Sequence, residues 1–209
     1  MQGTGSFTFN YQNQSLQQGF VVTASGVFSH AEGYGGQATG PYSHAEGQGT
    51  YSEGQGSHAE GFAGQAIANF SHAEGSQTMA AGIASHAEGS QTVASGSYSH
   101  AEGYSTVALG DYQHVQGQFN ISSPAQSAFI IGNGTSAISK SNLVFASGST
   151  FQVTGSLDVS GSVRVNDILT LVPRTTTPTG IPSGSFIVSG SGATIKPYFW
   201  DGSAWNPLY

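Results

Sequence analysis

The chain contains no cysteine and only four basic residues, Lys140, Arg164, Arg174 and Lys196. Without thiols it forms neither disulfides nor thiolate metal sites. No Lys or Arg precedes Lys140, so the first two thirds of the chain carry no basic side chain apart from histidine. A surface of that kind cannot neutralise phosphates, which excludes nucleic acid as a partner and anionic membrane surfaces with it. No run of about 20 apolar residues is available to span a bilayer as a helix, so membrane insertion is not expected. The opening residues Met1-Gln2-Gly3-Thr4-Gly5 have neither a basic start nor an apolar stretch, and no secretory leader is expected from them. Charged residues of both signs make up only 7% of the chain, with a net charge of -7.

What is abundant is glycine, 31 of 209 residues, roughly twice the usual ~7%. It does not recur every third residue, which excludes collagen. A composition that is 37% hydrophobic and 11% aromatic is too apolar for a disordered low-complexity chain. These features together describe an ordered, turn-rich β protein.

The glycines belong to a repeat. Seven histidines, His30, His44, His58, His72, His86, His100 and His114, recur with a constant period of fourteen. The first six sit in the pentapeptide Ser-His-Ala-Glu-Gly; the seventh is degenerate, Gln113-His114-Val115-Gln116-Gly117. The second half of each unit is looser, as in Thr78-Met79-Ala80-Ala81-Gly82 and Thr92-Val93-Ala94-Ser95-Gly96. An aromatic often closes it (Phe28, Tyr42, Phe70, Tyr98, Tyr112). Such a unit is too short for two helices, and each helical Gly costs ~1 kcal/mol. Two short strands and two tight turns fit, which predicts one rung of a parallel β-roll. About eight such rungs, stacked ~4.8 Å apart, run from Ser15 to about Ile121. Alternation along a strand turns Ala to the thin interior and places His and Glu together on the other face.

That face carries the chemistry of the chain. Stacked rungs bring His30, Glu32, His44, Glu46, His58, Glu60, His72, Glu74, His86, Glu88, His100 and Glu102 into one column pair, with like carboxylates about 5 Å apart. The imidazoles are the only compensation that the sequence offers. Histidine–glutamate hydrogen bonds between rungs or between chains are therefore expected, forming a polar contact that fixes register. Acidification of such a contact would leave stacked cations and loosen it. A divalent ion held by several imidazoles is the rival reading. Along a single strand, however, His-x-Glu spreads its ligands widely, and no metal or cofactor is expected on that ground. Catalysis is not expected either, because identical rungs offer no unique concave site.

The repeats resemble the head repeats of YadA-type trimeric adhesins. The Ser-His-Ala-Glu-Gly variant, closing in His114-Val115-Gln116-Gly117-Gln118-Phe119-Asn120-Ile121 and then Ile130-Ile131-Gly132-Asn133-Gly134, is more similar to bacteriophage tail and virion fibre proteins. The resemblance covers residues 15 to 135. It implies a left-handed β-roll that forms a homotrimer, with the alternating side chains facing the other two subunits. In adhesin heads those positions are typically aliphatic, whereas here they are His and Glu. The resemblance further implies a virion structural protein whose N-terminal segment binds other virion proteins and whose far end points outward. A bacterial surface adhesin fragment and a glycan-degrading tailspike are the alternatives.

Beyond residue 134 the pattern changes. Phe151/Val153, Leu157/Val159, Val163/Val165 and Leu169/Leu171 are apolar pairs recurring every six residues. Each hexad is a very short strand plus a turn, whose apolar face is too small to stand alone. Three chains wrapped as a triple-stranded β neck would bury it; a β-meander within one chain is the other solution. From about Val172 the chain is proline-rich and ends in a small β tip, with Asp201-Gly202 as a hairpin signal. Tyr198, Trp200 and Trp205 either form the core of this tip or contact a host-surface glycan or protein receptor. The expected organisation is an attachment segment over 1–14, the β-roll over 15–121, connector and neck over 122–171, and the tip over 172–209.

Overall fold

The computed structural model describes residues 6–164, 186–189 and 196–207. Among these residues there is no helix, and the protein is all-β. The chain divides into two units, Met1–Leu157 and Asp158–Tyr209, each described by itself.

The first unit is a parallel β-solenoid of about eight turns that keeps the spacing of the sequence repeat. One ladder stacks the His-Ala strands in register, His30 on His44, His44 on His58, and so on to His114. The other stacks seven two-residue strands from Thr23–Ala24 to Val107–Ala108. Between them lies a core one alanine thick. Ala31 and Ala38, Ala59 and Ala66, Ala73 and Ala80, Ala87 and Ala94, and Ala101 and Ala108 are fully buried. The two alanines of a pair stand half a repeat apart, so each coil is two similar halves, Ser-x-Ala in the first and, in the second, Gly-Gln-Ala at 36–38 and 64–66 or Thr-x-Ala at 78–80, 92–94 and 106–108. Ser52 occupies one alanine slot, with its hydroxyl 2.6 Å from that of Ser57. Two buried methyl groups per rung contribute little, about 0.8 kcal/mol each. The stack is held mainly by backbone hydrogen bonds.

Those bonds run in two directions. Along the strands each rung donates to the next: His58 N–H to Ser71 O, Glu60 N–H to Ala73 O, Gln65 N–H to Thr78 O and Ile67 N–H to Ala80 O. At the two corners the donation reverses, with Ala63 N–H reaching Gln48 O and Phe70 N–H reaching Gln55 O. The reversal needs the left-handed backbone conformation, and the corner residues have it. Tyr42, Phe70, Tyr98 and Tyr112 lie at φ 58–60°, with Gln77 and Gln91 at 56° and 58° on the opposite corner. Bulky residues in this region cost roughly 1–2 kcal/mol, and each is fixed there by its bond to the rung before. The aromatics that close the units are thus corner residues, exposed along one flank and stacked in pairs (Phe28–Tyr42 at 5.4 Å, Tyr98–Tyr112 at 5.2 Å).

Two further positions of the pentapeptide have structural causes. Ser29, Ser57, Ser71 and Ser99 donate their hydroxyls at 2.6–2.8 Å to the carbonyl three positions earlier, closing the turn before the strand. The glycines stack directly on one another: a Cβ at Gly75 would lie 2.2 Å from the carbonyl oxygen of Gly89, at φ +99°.

Both ends of the histidine ladder are closed by antiparallel strands. Ser6–Asn10 pairs with Ser15–Phe20, so the described part of the expected attachment segment belongs to the roll. At the other end Phe129–Asn133 adds a parallel strand, followed by antiparallel Asn142–Ser147 and Thr150–Val153. The second ladder has no such strand and ends on a side chain. Asn120 Oδ1 accepts from Val107 N–H at 2.8 Å, and its Nδ2 donates to Val107 O at 3.0 Å, replacing the missing backbone.

Within the single chain the hexads fall into two groups. Phe151 and Val153 lie in the last strand of this antiparallel meander rather than in a rung of their own. Leu157, Val159 and Val163 are exposed and outside any strand, because a hexad alone has nothing to bury its apolar side against. Val165, Leu169 and Leu171 lie outside the described residues.

The second unit contains a three-stranded antiparallel sheet, Phe186–Ser189, Lys196–Trp200 and Trp205–Pro207. Its hairpin is the expected Asp201-Gly202 turn. Asp201 Oδ1 accepts from the backbone N–H groups of Ser203 and Ala204, both at 2.8 Å, and Oδ2 accepts from Asn206 Nδ2. These donors, that of Ala204 foremost, hold the Asp201 carboxyl well below the usual range.

The glycine column yields a direct test. Gly75→Ala combines a backbone clash with a forbidden φ and is expected to cost roughly 3 kcal/mol. Gly49→Ala, at φ +66° with open space around it and Ala63 as its counterpart one rung on, should cost about 1 kcal/mol. Urea unfolding of both variants measures the gap, and equal costs would refute the stacking account.

Candidate functional site: the histidine–glutamate face

The face opposite the alanine core is built by the register of the first ladder. Because His stacks on His and Ala on Ala, every imidazole meets its own counterpart on the next rung. From His30 to His100 successive rings are 4.7–4.9 Å apart and within 8° of parallel. His114 tilts by 55° from His100, and Phe129, on the strand that follows, covers the end of the column at 5.5 Å. At the other end the matching position is Leu16. Sequence reasoning missed Phe129, which stands one position later than the repeat counted from His114 would place it.

Four of the six glutamates, Glu32, Glu46, Glu60 and Glu74, stand within 4.0 Å of two imidazoles, and Glu88 and Glu102 of one each. Glu46 places Oε2 3.8 Å from His44 Nε2 and Oε1 4.0 Å from His58 Nε2. Glu74 does the same with His72 at 3.7 Å and His86 at 3.9 Å. The shortest approach is His100 Nε2 to Glu88 at 3.3 Å. The structure therefore brings together the twelve side chains that the repeat singled out. It does not, however, form the expected hydrogen bonds within the chain. The Nε2 atoms of all seven histidines are shielded from solvent and have no hydrogen-bond partner. The imidazoles and carboxylates are matched in position, but they do not meet in hydrogen-bonding geometry.

His-x-Glu does not spread its ligands too far for chelation here. Ligands gather along a strand and across rungs together. The ligand atoms of His44, Glu46 and His58 all lie within 4.8 Å of one another, as do those of His72, Glu74 and His86, and of Glu88, His100 and Glu102. Beside the carboxylates an open groove follows Glu32–Gly33, Glu46–Gly47, Glu60–Gly61 and Gly75. Glu53, which lies outside the pentapeptide frame, is exposed on the second ladder's side.

In the tip, Trp200 and Trp205 are paired in register, half-buried, with ring centroids 5.4 Å apart. Tyr198 is half-buried on the same strand as Trp200. The two indoles thus pack on each other across the hairpin.

Neither a protein-family model nor a curated protein sequence matches this chain.

Burial lowers the proton affinity of His44 and His86, and the neighbouring imidazoles lower it further, outweighing the adjacent glutamates. The unfolded chain takes up protons at these histidines near pH 6.5, while the folded chain resists. Stability is therefore complete above about pH 6.5 and falls as acid drives protons onto the unfolded state. The melting temperature should drop between pH 7.5 and pH 5.5, and less steeply in His44→Gln/His86→Gln. A melting temperature that holds or rises over that interval would contradict the assignment.

Proposed function

We propose that this chain is a structural fibre protein of a virus particle that assembles as a homotrimer through its histidine–glutamate face. The observation that carries this reading is the row of seven solvent-shielded Nε2 atoms without partners on one side of a regular rod. Such atoms cost free energy when left unpaired, and contact with a neighbouring copy would let the one-third-exposed imidazoles and carboxylates turn into pairs along the face. Two further features support assembly. The groove beside the glutamates is open to a neighbouring chain, and Phe151, Leu157 and Val163 are 69%, 69% and 71% exposed. Three copies wrapped around these hexads would form the triple-stranded β neck.

The viral setting rests on the resemblance to phage fibre repeats over residues 15–135. In this reading residues near the N-terminus join the fibre to other virion proteins. The C-terminal tip meets the host surface, with Tyr198, Trp200 and Trp205 as candidates for contact with a glycan or protein receptor. The glycine-stacked, alanine-cored roll serves as a stiff spacer and supplies no reaction.

Sedimentation equilibrium of the full chain decides the assembly state. A trimer gives three times the 21.4 kDa chain mass, and Val163→Asp together with Leu157→Asp should shift it toward monomer. A monomer at high micromolar concentration would end the trimer reading. For the tip, Trp205→Ala should lower both melting temperature and host-cell binding if the indole does both tasks. Unchanged adsorption of particles carrying the variant would remove the receptor role.

A further inference from the structure

The carboxylates of the roll lack countercharge. Eight of the eleven acids precede Lys140, and no Lys or Arg accompanies them. Six of these are the stacked glutamates, one per rung, each flanked by imidazoles that do not hydrogen-bond to them. Unpartnered imidazole nitrogens and carboxylates facing each other repeatedly are a donor set for a first-row divalent ion: imidazole plus carboxylate, without thiolate.

We propose that the histidine–glutamate face binds divalent transition-metal ions, zinc being the type case, at up to three sites per chain. The sites are His44–Glu46–His58, His72–Glu74–His86 and Glu88–His100–Glu102. No residue is shared among them, so all three can fill together. In the first two a single glutamate straddles two stacked imidazoles. In the third a single imidazole lies between two glutamates.

Geometry supports each triad. A tetrahedral ion with bonds of about 2.0–2.2 Å needs ligands about 3.3–3.6 Å apart. Glu88 and His100 already stand at 3.3 Å, and Glu74 is 3.7 and 3.9 Å from its two imidazoles. The stacked rings must lean together by about 1 Å at their Nε2 edges to bring both onto one ion. That movement lies within side-chain rotation on a surface that is one-third exposed. Three protein ligands leave a fourth position for water or for a group from a neighbouring chain. The choice of metal follows from the donors. Magnesium prefers oxygen and retains its water, whereas imidazole favours zinc, nickel, cobalt or copper.

The site rests on one chain's own residues and does not depend on the trimer. Zinc titration of the chelator-washed full-length protein by calorimetry, with metal content counted after desalting, tests it. Saturable uptake of up to three zinc ions per chain is expected, at least roughly tenfold tighter than magnesium. His72→Gln/His86→Gln should retain one ion fewer, with its far-UV circular dichroism unchanged. Cobalt bound to the unaltered chain supplies a readout that needs no variant: intensified visible absorption of a near-tetrahedral nitrogen–oxygen site is expected. Absence of saturable uptake, equal competition by magnesium, no loss of zinc in the double variant, or a spectrum like that of aqueous cobalt would each overturn the proposal. Mass measured on the same samples separates this site from assembly. Zinc on a monomer keeps the metal site without the trimer, and a zinc-free trimer does the reverse.

Discussion

The whole roll depends on backbone hydrogen bonding that changes direction at its corners. Strand residues donate to the rung ahead, and corner residues donate to the rung behind. A residue can point its N–H backwards only from the left-handed region, so Tyr42, Phe70, Gln77 and Tyr98 adopt that conformation although none of them is glycine. With bonds in both directions a rung cannot slip relative to its neighbours. Everything else follows from that fixed register. Each residue meets its own equivalent on every rung, which rewards side chains that stack well on copies of themselves.

This self-stacking rule explains the composition. Glycine stacks where carbonyls approach too closely for any Cβ, alanine stacks in an interior one methyl thick, and aromatics stack at the corners. Lysine and arginine columns would place like charges a rung apart without any partner, and none occurs in the roll. Glutamate is the exception to the rule, since six of them stack as well. Histidine beside each glutamate obeys the rule, because its ring stacks face to face on its counterparts.

Much of this was legible in the sequence. The histidine interval announced the rung length, the pentapeptide told which side chains share a face, and Asp201-Gly202 marked the hairpin of the tip. What the sequence concealed had physical reasons. The half-period within each coil was masked because Ser and Thr, or His, Gln, Met and Val, occupy equivalent slots with unlike chemistry. The left-handed corners were hidden because aromatics, not glycines, fill many of them. The capping role of Asn120 could not be inferred from its type; it arises only because the second ladder stops there while the first continues to Phe129. The hexads were legible only in part, for a different reason. Their apolar alternation is real, but Thr150–Val153 finds a partner in Asn142–Ser147 of its own chain, whereas Leu157 and Val163 lie in no strand among the described residues.

The histidine–glutamate face combines two requirements that conflict within one chain. The stacking rule sets each carboxylate beside one or two imidazoles, but the rung spacing keeps them 3.3–4.0 Å apart. Even the tilted His114 ring, 3.5 Å from Glu102, forms no hydrogen bond. The common register repeats this side-by-side geometry on every rung. The seven unpaired Nε2 atoms are therefore a consequence of the fold itself, present on every rung for the same reason. Whatever satisfies one of them satisfies its neighbours at the same spacing. A ligand that repeats along the rod, whether a row of ions or the matching face of another copy, fits such a surface far better than a single compact molecule.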